Sequence, residues 1–241
     1  MTVHYPRRFF EINILFAQRI AEVSNQALDD ALLNYTILYT RFGLGRDFDP
    51  ANPTWQEYLG GLHRAKDLTE WTVRFYLARP AQADLPADQP DFGCFSYAVW
   101  PDNRIRLHFH NAETPENSPL SRHRIDVRLS ELRQMFAYVK RHIENPTTVV
   151  GGSWLYNIEA YRRLFPPAFL ATAQVSDADF PFLALWGQFL DRNWQIKEDL
   201  AGQFLDCLKA RCDLEGVKRC FPYPVRRLEC PVQCFYAFYG V

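Results

Sequence analysis

Apolar residues recur in steps of three and four from Ile12 through Phe16, Ile20, Val23, Ala27, Ala31, Tyr35 and Leu38 to Phe42. That spacing stacks side chains on one face of a helix. Gly43 and Gly45 end the run, because glycine takes the left-handed conformation that closes a helix. Ser24-Asn25 or Asp29-Asp30 can divide it in two, since these side chains satisfy free amides at a helix start. Pro53 opens a second helical patch carrying Trp55, Tyr58, Leu59 and Leu62. From Leu68 to Leu77 two periods compete: Trp71, Val73, Phe75 and Leu77 alternate as in a strand, while Leu68, Trp71 and Phe75 fit a helix. Pro80, Pro86 and Pro90 then break the pattern among alanines and aspartates, and residues 79–91 read as a linker.

Beyond it, residues 93–100 and 104–110 predict two strands joined in a hairpin at Pro101-Asp102-Asn103. Leu129, Leu132, Phe136, Val139 and Ile143 predict an amphipathic helix that stops before Pro146. Residues 147–155 read as a buried strand, 158–165 as a short helix ended by Pro166-Pro167, and 169–175 as another strand. Ser176 with Asp179 resembles a capping box ahead of a long helix through Phe182, Leu185, Trp186, Phe189, Leu190, Leu200, Phe204 and Leu208. The tail from Phe221 to Tyr239 is aromatic, proline-punctuated and strand-like. The pattern therefore predicts an α/β (α+β) protein: a helical region over 1–78, a linker over 79–91, and a mixed sheet with flanking helices over 92–241.

Composition narrows the function classes. With 48% hydrophobic and 15% aromatic residues, the 241-residue chain is built for a dense core rather than disorder. A net charge of −1 removes the electrostatic reason to expect nucleic acid or an anionic membrane as partner. The opening residues lack a signal-type apolar block, and no uncharged run approaches the ~18 residues of a spanning helix. Six cysteines at 94, 207, 212, 220, 230 and 234 are too sparse for a disulfide scaffold. Their spacings, C-x4-C, C-x7-C, C-x9-C and C-x3-C, lack the paired C-x2-C knuckles of a tetrahedral metal site. Buried free thiols in a reducing cytoplasm are the expectation.

His108 and His110 lie two apart on a predicted strand, so their imidazoles share a face, with Leu107 and Phe109 turned to the core. Paired histidines can bind a metal. Glu113 extends them to His-x-His-x-x-Glu, close to the first cupin motif, but the acid comes early and no counterpart of a second motif is present. A strand-face pair satisfied by ordinary hydrogen bonds, or lining a polar pocket, is the alternative, and no bound metal is expected. Gly151-Gly152-Ser153-Trp154 lacks the second glycine of a hydrolase elbow. The glycines of Arg41-Phe-Gly-Leu-Gly45 have the wrong spacing for a phosphate loop.

The order of elements over residues 104–175 carries a family resemblance. A strand with His108, a loop with Ser118-Pro119-Leu120, a helix to His142, a strand ending Ser153-Trp154-Leu155, then Leu164-Phe165-Pro166 together resemble the GNAT-like C-terminal domain of a bacterial acyltransferase family. The resemblance spans less than a third of the chain. It implies transfer of an acyl group from a thioester, on coenzyme A or a carrier protein, to an amine. On that implication His110 is the general base and Tyr161 the acid that protonates the leaving thiolate; Asn157 precedes Tyr161 by one helical turn. His108, Ser153, Trp154 and Asn157 would contact substrate, Ser153 and Trp154 along the acyl channel. No Q/R-x-x-G-x-G/A loop stands between the histidine strand and the helix. That departure keeps open a non-catalytic binding or assembly protein on the same fold, and a metal-dependent enzyme using His108 and His110 stands as the third class.

Overall fold

The computed structural model describes residues 4–79, 92–113, 117–176 and 185–241. In chain order the elements are α1 (Arg7–Ser24), α2 (Leu28–Tyr35), α3 (Leu38–Arg41), α4 (Pro53–Leu62), α5 (Leu68–Leu77), β1 (Phe95–Trp100), β2 (Arg104–Phe109), α6 (Ile125–His142) and β3 (Thr148–Ser153). They continue with α7 (Glu159–Arg162), α8 (Pro167–Leu170), β4 (Gln174–Val175), α9 (Glu198–Ala210), α10 (Leu214–Lys218), β5 (Arg226–Pro231) and α11 (Val232–Tyr239). The mixed α/β class holds, with helices first and a five-stranded sheet after. The chain divides into two units: Met1–Leu85 with Ala178–Pro222, and Pro86–Asp177 with Tyr223–Val241. The expected single body over 92–241 is therefore interrupted. Apart from Arg79, the expected linker lies outside the described residues.

In the first unit the long helical run is cut at Asn25, whose left-handed backbone (φ 55°) ends α1. Asp29 and Asp30 occupy the first turn of α2 without capping it. Buried Asn13 joins the pieces: its Nδ2 donates to Phe9 O at 2.8 Å and its Oδ1 accepts from Ile37 N at 3.3 Å. The ambiguous stretch is helix α5, started by Asp67, whose carboxylate accepts from Glu70 N. Trp71 then donates from its indole to Tyr58 O at 3.0 Å and lies flat on Gly61, where a Cβ would collide with the ring.

The segment 185–222 belongs here because it completes the aromatic core. Phe16 of α1 meets Trp186, Phe204 and Phe221 at ring separations of 5.6, 5.6 and 5.3 Å. The single long helix expected beyond Ser176 does not form over these residues. Residues 185–189 make a short 3-10 turn, and Asp191 then accepts from Asn193 N and Gln195 N, so its side chain competes with helical bonding. The helix restarts only at Glu198; the proposed cap partner Asp179 lies outside the described residues.

Cys207 of α9 and Cys220 form a disulfide, correcting the expectation of free thiols for this pair. Among the described residues no helix is long and apolar enough to cross a membrane.

In the second unit the strand order is β1-β2-β3-β5-β4. The predicted hairpin is present, with Asp102 and Asn103 at positive φ in its turn. α6 and α11 pack on the core face, where Phe136 stacks on Tyr239 at 5.4 Å. The strand expected over 169–175 is reduced to Gln174–Val175, since Pro167 instead starts helix α8. The tail is half strand: Pro231 closes β5 and caps α11, which buries Val232, Phe235 and Tyr239 on one helical face.

The disulfide closes a short loop, so reducing it returns entropy to the unfolded chain. Cys207→Ala/Cys220→Ala is expected to lower stability by about 3 kcal/mol, read as a lower denaturation midpoint. Reductant should reproduce the shift in the parent and leave the double variant unchanged.

Candidate functional site

β2 and β3 run parallel yet pair over only two positions, Ile105 with Val149 and Arg106 with Val150. By contrast β1–β2 and β3–β5 each pair over six. The N-terminal ends of the parallel pair are tied, Thr147 donating from its amide to Asn103 O and from its hydroxyl to Asp102 O. The ladder between β2 and β3 ends at Arg106 and Val150, so the strands part toward their C-terminal ends. Such ends, where strand direction or connection changes, are where open sheets bind ligands.

The core side of this split has an aromatic floor. Phe109 meets Tyr161 edge-on at 5.3 Å, Tyr161 meets Tyr156 at 5.1 Å, and the two tyrosine hydroxyls hydrogen-bond each other. Tyr156 lies directly beneath Gly151: a Cβ there would collide with its hydroxyl and come within 2.9 Å of Phe169. Gly151 is thus the close-approach glycine that lets a tyrosine sit under a strand. Burial drives both tyrosine pKa values up, so each hydroxyl keeps its proton.

His108 and His110 are exposed, and Leu107 and Phe109 face the core as the alternation requires. His110 follows β2 and is held by its amide, which donates to Cys94 O at 3.0 Å. Beneath that anchor lies a buried ionic cluster that sequence reasoning missed. Arg128, 3% exposed at its side chain, reaches Glu131 at 2.6 Å, Glu113 at 2.8 Å and the Cys94 sulfur at 2.7 Å. Glu131 also accepts from Cys94 N at 3.1 Å, and Arg124 donates from Nε to Glu113 at 2.8 Å. Burial raises the Glu113 pKa, but Arg124 and Arg128 outweigh it and hold the carboxyl below its usual value. Glu113 therefore serves these arginines rather than completing a His-x-His-x-x-Glu metal set. Among the described residues no cluster of three His, Cys, Asp or Glu side chains is arranged to hold a metal.

The remaining expected contact residues act in the scaffold. The Ser153 hydroxyl accepts from Leu155 N and starts the turn after β3. The Trp154 ring is buried and stacks on Tyr223 at 6.0 Å. Asn157 donates to Trp154 O at 2.7 Å and to Pro224 O at 2.8 Å, and accepts from Arg226 at 2.6 Å. These three fasten the end of β3 to β5, while Tyr161, Phe109 and the histidines surround the split. The local sequence feature that lies at the split is Gly151-Gly152, two glycines inside a strand, weighed from the sequence only as an incomplete hydrolase elbow. Nothing local marked Cys94, Arg128 and Glu131, which meet only through the fold.

Comparison with known proteins finds no matching protein family, curated protein or solved structure.

Two outcomes follow from this geometry. Arg128→Ala leaves Glu113 and Glu131 without their shared buried cation and is expected to cost about 3–5 kcal/mol, measured by denaturant unfolding. The Glu113 contribution to stability is present above its unfolded pKa of about 4.3 and is lost as pH falls through its lower folded value. The stability gap between the parent and Glu113→Gln should therefore hold near neutral pH and narrow in acid.

Proposed function

We propose that this chain is an acyltransferase that accepts a thioester donor between β2 and β3 and passes the acyl group to an amine. The observation that carries the reading is the early parting of these parallel strands. The edge of β2 released there suits an extended ligand carrying amide groups, which can bond to it as an added strand would. The pantetheine arm of acyl-coenzyme A or of an acyl-carrier protein is such a ligand, and Phe109 supplies an apolar surface beside its thioester. The resemblance of residues 104–175 to a GNAT-like acyltransferase domain supports the same chemistry.

In this reaction the amine nitrogen attacks the thioester carbonyl carbon, and the C–S bond breaks as the amide C–N bond forms. His110, exposed at the end of β2, takes the proton from the amine. Tyr161, its proton retained by burial, donates to the departing sulfur from the floor of the split. His108 lies on the exposed face beside the entering acceptor, and Ser153, Trp154 and Asn157 shape the site by fastening β3.

The engagement of Ser153, Trp154 and Asn157 in scaffold bonds favours a second reading, a binding or assembly protein that holds the thioester without turnover.

A thioester that binds the native state alone raises the melting temperature by mass action, worth about 2.7 kcal/mol at a hundredfold excess over Kd. Acetyl- and longer acyl-coenzyme A at millimolar concentration are expected to raise it, and a panel that leaves the melting curve unmoved overturns the proposal. With turnover in hand, Tyr161→Phe and His110→Ala should each lower kcat by about 100-fold or more. Binding without turnover selects the second reading.

A further inference from the structure

Helices α6 and α11 lie side by side on the core face of the second unit's sheet, joined where Phe136 meets Phe235 at 4.7 Å and Tyr239 at 5.4 Å. On their outer side a groove runs between them that the acyl-transfer reading leaves unused. Asp126, Leu129, Ser130 and Arg133 of α6, with Phe238 and Tyr239 of α11, line a hollow of about 370 Å³. From Arg133 the groove continues past Ala137, Lys140 and Arg141 into a second hollow of about 400 Å³. These α6 positions recur in steps of three and four, so they make one continuous stripe of the helix. The stripe is about 22 Å long, the length of a four-turn helix.

The two walls differ in chemistry. α11 contributes no charged side chain, and Phe238 leaves 43% of its surface exposed. α6 supplies the charge, with Arg133, Lys140 and Arg141 toward one end and Asp126 at the other. The three cations bond to main-chain oxygens: Arg133 to Gly240 O at 3.5 Å, Lys140 to Val241 O at 3.0 Å and Arg141 to Ala137 O at 3.1 Å. Those bonds leave most of the guanidinium donors of Arg133 and Arg141 to spare. Among the described residues none of the three is paired with an Asp or Glu side chain.

Charge and shape together select the occupant. An excess of cations along one rim is complemented by carboxylates on the molecule that meets it. Ser130 and Ala137, on either side of Arg133, leave notches in the stripe, and the side-chain ridge of a third helix packs into such notches. A flat lipid surface has no ridge to enter them.

We propose that the α6–α11 groove docks an acidic amphipathic helix of a partner protein. Its apolar ridge lies over Ser130, Ala137 and Phe238, and its carboxylates face Arg133 and Arg141. This docking stands or falls independently of the acyl-transfer reading.

The test follows the fluorescence anisotropy of a labelled helical peptide of about 16 residues, with leucines along one face and glutamates flanking them, titrated with the full chain. Saturable binding is expected, about tenfold or more tighter than for the same peptide with lysines in place of the glutamates. Arg133→Glu/Arg141→Glu should weaken it by about tenfold or more, while Lys209→Glu, on α9 of the first unit, should leave it unchanged. If the double reversal does not fold, Arg133→Gln/Arg141→Gln takes its place with the same direction expected. Ala137→Gln, which fills a notch without changing charge, should also weaken binding. No saturable binding of the glutamate peptide, equal binding of the lysine peptide, or undiminished binding in the arginine variants or in Ala137→Gln overturns the proposal. Two further results overturn it in favour of another occupant: sedimentation with phosphatidylglycerol vesicles that the arginine variants abolish, or self-association of the parent chain that they abolish.

Discussion

The second unit depends on how briefly two parallel strands agree. A parallel pair requires a crossover, here α6, and the crossover must seat its apolar face on the sheet while returning the chain to the strand's start. Thr147 secures that start through two bonds to the hairpin turn, and the ladder then runs for two residue pairs before the strands diverge. A sheet opened in this way loses backbone bonds, and the aromatic floor of Phe109, Tyr161 and Tyr156 fills the core side of the gap. Gly151 makes that filling possible, because any side chain there would displace Tyr156.

The end of β2 is held by charge as well as by ladder bonds. Arg128 is buried among Glu113, Glu131 and the Cys94 sulfur, a group whose removal of one member leaves the others desolvated and unpaired. Gly93, at positive φ, lets Glu131 approach the backbone and accept from Cys94 N. The same backbone receives the His110 amide, so the position of His110 rests on a cluster whose outermost members, Cys94 and Glu131, are 37 residues apart in sequence.

The cysteines behave differently in the two units. Cys207 and Cys220 are joined within the first. In the second, Cys230 and Cys234 hydrogen-bond as thiols, and burial, then that contact, pushes the Cys230 pKa up to about 12, which keeps it protonated and unreactive at neutral pH.

Local pattern by itself determined much of the element plan. The helix opened by Pro53, the hairpin at Pro101-Asp102-Asn103 and the core face of α6 were all legible, because each follows from periodicity or from residues with a restricted backbone. The break in the first helical run was legible only as one of two places, and Asn25 makes it by ending α1 in a left-handed conformation rather than by capping α2. The facing of Leu107 and Phe109 against His108 was legible for the same reason. Periodicity could not choose helix for Leu68–Leu77, where the deciding contact is Trp71 lying on Gly61. Nor could it foresee Asp191 turning its carboxylate onto its own backbone, or Pro231 converting strand to helix. Tertiary structure alone assigned residues 185–222 to the first unit, because the partners of Phe16 lie far along the chain. It alone brought Arg106 beside Arg227 and Cys94 beside Arg128. Alternation tells which face a side chain takes, but strand order and register decide which neighbours share that face, and those are set by packing between distant segments.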